Sequence, residues 1–83
     1  MTMADDTSID AGKASSIAKQ YLIDTYGNLG QFTFKIHSIK RNSAEHIWIV
    51  ECESYATPKD EKPTAYTIKV NIKTGEIVSI SSI

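Results

Sequence analysis

Tyr66-Thr67-Ile68-Lys69-Val70-Asn71-Ile72-Lys73-Thr74-Gly75-Glu76-Ile77 is the stretch on which the fold turns. Tyr66, Ile68, Val70 and Ile72 fall on one side of an extended chain, and Thr67, Lys69 and Asn71 on the other. Successive side chains alternate across a strand, so this period of two predicts a strand over 64–72 with one apolar face. Lys73-Thr74-Gly75-Glu76 reads as a tight turn whose glycine supplies the positive φ. A return strand over 76–81 carries Ile77, Val78 and Ile80. Two strands joined by so short a link pair antiparallel.

Upstream the same period recurs. A strand over 46–55 sets Trp48, Val50, Cys52 and Ser54 against Ile47, Ile49, Glu51, Glu53 and Tyr55. The segment 56–63, with Pro58 and Pro63 and the charges Lys59, Asp60, Glu61 and Lys62, is a loop. Before it, Phe32, Phe34 and Ile36 alternate with Thr33, Lys35 and His37 in a first strand ending near Lys40, and 41–45 forms a polar turn.

The N-terminal part follows a different period. Ile9, Ala14, Ile17, Ala18, Tyr21, Leu22 and Tyr26 recur at threes and fours after the first gap, which is one face of a helix. Thr7 or Ser8 is placed to cap its start, with Asp10 three residues after Thr7 in the manner of a capping box. Gly27, followed by Asn28 and Gly30, ends it near Tyr26. Ala14 and Ala18 let the helix axis approach its support closely. The reading is an α+β fold: one N-terminal helix packed on a four-stranded antiparallel meander sheet, spanning 7–83, after a loose tail over 1–6. Ile17, Tyr21 and Leu22 are expected against Phe34, Trp48, Val50, Ile68, Val70 and Ile80.

The chain's 83 residues fit one domain, and 41% apolar with 23% charged residues is a globular composition. A net charge of −1 with Arg41 as the sole arginine gives no basic footprint, so nucleic acid is not the expected partner. Cys52 is the single cysteine, which excludes an internal disulfide or a cysteine-built zinc site. No stretch approaches the roughly 20 apolar residues of a membrane span, and the polar, acidic start is unlike a signal peptide. The expected setting is cytoplasmic, with no membrane partner.

The 66–77 hairpin, with its tyrosine, alternating apolar residues, Lys-Thr-Gly-Glu turn and aliphatic, resembles the closing hairpin of PepSY-type domains. The leading helix with spaced alanines, and Trp48 and Glu51 in a following strand, fit that pattern. More loosely, a helix wrapped by a sheet is similar to the cystatin fold. The stretch from Trp48 to Ile77 also resembles the O-type gas-vesicle accessory proteins, which share a tryptophan, an acidic strand, a proline-containing loop and a tyrosine-led strand. These resemblances imply a binding or regulatory module, or an accessory factor in an assembly such as gas vesicles, rather than an enzyme.

The residues themselves give no catalytic motif. Cys52 lies between Glu51 and Glu53, which would raise its pKa, and reads as a small core residue. His37 and His46 on neighbouring strands, with Glu45 and Glu51 near, fall short of a ligand set with specific spacing. Glu51 and Glu53 share a strand face without a cleft to separate their pKa values. No phosphate loop, nucleophile elbow or dinucleotide fingerprint occurs. The expectation is therefore no catalytic, cofactor or metal residue. The interaction candidates are Ile47, Ile49 and Tyr55, expected on the uncovered face of the second strand, where a protein partner or a second copy of the chain would dock. A strand edge is the other interaction route. The competing expectation is a small ligand or metal in a gap between helix and sheet lined by Tyr21, Tyr26, Phe32 or Tyr66.

Overall fold

A computed structural model describes residues 8–82, so the expected tail over 1–6 and the capping residue Thr7 lie outside the described residues. The chain runs α1 (Ala11–Tyr26), α2 (Asn28–Thr33), β1 (Lys35–Asn42), β2 (Ile47–Ser54), β3 (Thr64–Asn71) and β4 (Ile77–Ser82). The strands form one four-stranded sheet in the order β1-β2-β3-β4, every neighbour antiparallel. The fold is thus an α+β meander behind an N-terminal helix.

Helix α1 starts later than the Thr7 or Ser8 cap would place it. Asp10 is the N-cap, and its carboxylate accepts the Lys13 N–H at 2.8 Å. This satisfies one of the orphan donors of the first turn. Ile9 stands before the helix rather than in it. Its N–H donates to the Ile72 carbonyl at 2.7 Å, and its own carbonyl accepts the indole N–H of Trp48 at 3.0 Å. One residue therefore ties the chain's entry to β2 and to the turn that follows β3.

The second helix corrects the sequence reading. Phe32 and Thr33, expected in the first strand, belong to α2, and Phe32 is 76% exposed. Gly30 is the cause. It is buried against the backbone of α1, where an added β-carbon would stand 2.5 Å from the Leu22 carbonyl carbon and 2.8 Å from the Ile23 nitrogen. Only a residue without a side chain lets the chain fold back this tightly after Gly27. Thr33 then fastens α2 to the sheet. Its hydroxyl donates to the Leu29 carbonyl at 2.5 Å, accepts the Tyr55 N–H at 2.9 Å, and lies 3.0 Å from the hydroxyl of the fully buried Ser54.

The core lies between α1 and the inner sheet face. Ala14, Ala18, Leu22, Val50, Cys52, Tyr66, Ile68 and Val70 are buried in one cluster, with Ile17, Tyr21, Phe34, Trp48 and Ile80 partly buried against it. The two alanines have no exposure at all, as their role in a close helix-to-sheet approach requires. Ile36 and Ile39 also pack on this cluster although they are three apart. A bulge between Ile36 and Ser38 makes this work, because one extra residue resets the alternation of faces.

Candidate functional site

The two edges of the sheet differ in chemistry. β1, at one edge, carries Lys35, His37, Lys40 and Arg41 and the bulge. Charge and bulges both discourage the addition of a further strand. β4, at the other edge, is Ile77-Val78-Ser79-Ile80-Ser81-Ser82, without a charge or a proline. Its ladder with β3 slips once, between Lys69 and Val70, and is regular from Ser79 to Ser82. Val78, at the slip, is 57% exposed. An edge strand presents a row of unpaired N–H and C=O groups, and on β4 no side-chain charge guards that row.

A groove runs beside this edge. Helix α1 lies over β2, β3 and, to a smaller extent, β1, leaving β4 at the margin of its footprint. The space between α1 and the start of β4 is an open groove of about 400 Å³, lined by Ile17, Gln20, Tyr21, Asp24, Gly75, Glu76 and Ile77. Its floor is apolar and its charged lining residues, Asp24 and Glu76, are both acidic. Asp24 accepts the Gln20 side-chain amide at 2.8 Å. The Asn71–Glu76 turn closes one end. Asn71 accepts the N–H groups of Lys73 and Thr74 on its side chain, and Gly75 holds φ +77°. A β-carbon there would sit 3.3 Å from the Ile17 methyl group, so the glycine serves both the turn and the close approach to α1.

The open face of the sheet differs from the expected apolar patch. Ile47 is 5% exposed and Ile49 and Tyr55 are half-buried, so the three do not form an exposed surface together. The reason is lateral cover. β2 is a central strand, and Ile47 is flanked in register by Asn42 and Asn71, Ile49 by Lys40 and Lys69. Lysine stems cover apolar neighbours while their ammonium groups stay in water. The rest of that face is polar: Ser38 donates to Glu51 at 2.6 Å, and His37 and Glu53 pair at 2.6 Å.

The other sequence candidates are dispersed. His37 lies beside Glu53 at one end of the β1–β2 ladder and His46, with φ +58°, in the turn at the other end. Among the described residues no three metal-ligating side chains cluster. Cys52 is 1% exposed, and burial pushes its thiol up to about 11. At neutral pH it is protonated, the opposite of an activated nucleophile. Of the tyrosines named for a ligand gap, only Tyr21 lines the groove. Tyr66 donates its hydroxyl proton to the Tyr26 hydroxyl at 2.9 Å, and burial together with that bond pushes Tyr66 up to about 12. The 56–63 loop is ordered around Asp60. Its carboxylate accepts the Thr57 hydroxyl at 2.8 Å and the Ala56 and Thr57 N–H groups at 3.1 Å, and these bonds hold it below the usual carboxylate range.

Sequence reasoning missed the groove because it joins residues of α1 to a turn more than fifty positions away. The uncharged run after Glu76 was the legible signal. No family model, curated protein or solved structure matches the chain. Among the described residues no helix is long and apolar enough to cross a membrane.

Proposed function

We propose that this chain is a non-enzymatic protein-interaction module that takes up an extended segment of a partner along the free edge of β4. The observation that carries the reading is the contrast between the edges: cations and a bulge on β1, and no charge along β4. Natural sheets guard their edges against pairing, and an edge without a guard is suited to strand addition. Main-chain hydrogen bonds then supply affinity, and pockets for alternate side chains supply selectivity. The likeness of the 66–77 hairpin to PepSY-type domains points the same way, toward binding rather than catalysis. The burial of Ile47 and the half-buried state of Ile49 and Tyr55 make the edge a better contact than the open face.

The test is a display library of extended peptides panned against the parent chain and against Val78→Lys. Val78 is exposed, so the substitution places a guarding charge on the edge without touching the core. Peptides enriched on the parent and lost on a folded Val78→Lys support strand addition. Equal enrichment on both chains places binding elsewhere and refutes the reading.

A further inference from the structure

The edge and the groove beside it select a partner of one charge. An added strand on β4 would direct alternate side chains toward the sheet's inner face, the side on which α1 lies. There they meet the groove, whose floor of Ile17, Tyr21 and Ile77 is apolar and whose ionisable lining groups, Asp24 and Glu76, are both carboxylic acids. The Asp24 carboxylate accepts the neutral Gln20 amide. Among the described residues no lysine or arginine lines the groove.

Resting on the strand-addition reading, we infer that the partner segment is an apolar strand bearing a lysine or arginine on the side facing α1. Its aliphatic side chains would cover Ile17 and Ile77, and its cation would lie between Asp24 and Glu76. A second copy of this chain fits the same place poorly. Its own free edge, Ile77–Ser82, has apolar and serine side chains and no cation to meet the two acids. Opposite-charge pairing is therefore satisfied by a foreign basic strand and not by a second β4 edge; the chain's other edge, β1, carries cations, but its bulge discourages pairing.

The experiment is a nuclear magnetic resonance titration of the labelled full chain with two capped seven-residue peptides. Both carry threonine at the odd positions and valine at the second and sixth. The central residue is lysine in one and glutamate in the other. The expected result is amide shifts confined to β4, the Asn71–Glu76 turn and the facing side of α1. The lysine peptide should bind about tenfold tighter, since it meets two carboxylates by attraction where the glutamate peptide meets them by repulsion. The preference should vanish in Asp24→Asn/Glu76→Gln and weaken as salt rises. Equal affinity of both peptides at β4 overturns the charge selection while leaving strand addition standing. If neither peptide moves the β4 amides, both ideas fall. A chain that doubles its mass with concentration through β4 assigns the edge to a second copy and also overturns the inference.

Discussion

Gly30→Ala adds a single methyl group at the contact of the two helices. The new β-carbon would lie 2.5 Å from the Leu22 carbonyl carbon and 2.8 Å from the Ile23 nitrogen. Carbon atoms in contact prefer 3.5–4.0 Å, so α2 must retreat by roughly 1 Å. The obstructing atoms are backbone and cannot rotate aside as a side chain would. Overpacking of this kind costs about 1–3 kcal/mol. The rigid backbone neighbours put this case in the upper part of that range, about 2–3 kcal/mol; alanine's better helix propensity returns about 1 kcal/mol, which leaves a net loss of about 1–2 kcal/mol. Retreat of α2 would also strain Thr33, whose hydroxyl holds the Tyr55 N–H and Ser54. For a domain of this size the loss corresponds to a fall in Tm of roughly 5–15 °C. The assay is urea unfolding followed by the fluorescence of Trp48, the single tryptophan, with circular dichroism in parallel. Gly12→Ala is the matched control. Gly12 is an exposed glycine of α1 whose added β-carbon meets only an Asp10 oxygen at 3.5 Å, so alanine should raise stability by about 0.5–1 kcal/mol. Opposite signs for the two glycines are required. A Gly30→Ala chain as stable as its parent would refute the close-approach argument.

The edge and groove experiments above stand beside two further predictions. Cys52 in the folded chain should resist alkylation at pH 8 and react at the rate of opening, because its thiol is buried and protonated. Burial pushes its folded pKa up to about 11, above the ordinary thiol value of 9.0, so its contribution is intact below pH 9 and is lost as pH rises toward 11. A Cys52→Ala chain should accordingly show a shallower loss of stability over that window in urea melts, and an identical slope would contradict the assignment. Thr33→Val keeps the shape of the side chain but removes the acceptor for Tyr55 N–H and the shorter of the two hydrogen bonds of the buried Ser54 hydroxyl, leaving it the Tyr55 carbonyl at 3.4 Å. Loss of about 1–3 kcal/mol is expected from those lost bonds, and a neutral effect in the same urea assay would mean that water replaces the hydroxyl.

The strands from β2 onward were legible in the chain because a half-buried strand writes its burial as alternation. Val50, Cys52, Ile68 and Val70 sit where that alternation places them. The helix ending at Tyr26 was equally legible, from its apolar stripe and the glycine after it. The region between the helix and β1 was not. Phe32, Phe34 and Ile36 alternate as a strand would, yet Gly30 allows a helical turn packed closely on α1, and that tertiary contact, with the Thr33 hydrogen bonds, outweighs local propensity. The spacing of Ile36 and Ile39, three rather than two, was the one local sign of the β1 bulge.

The candidate site divides in the same way. That the last strand would run through the uncharged residues after Glu76 follows from the order of residues alone, but that Glu76 itself stays outside it was set by the structure. That β4 would be an edge beyond the main cover of α1 depends on where a sixteen-residue helix comes to rest on four strands. The exposure of Ile47 and Ile49 depends on what stands beside them in the sheet. Sequence alternation reports which face a residue takes, but not whether lateral neighbours already cover it. Burial is a property of area shared between distant segments, and only tertiary packing sets that area.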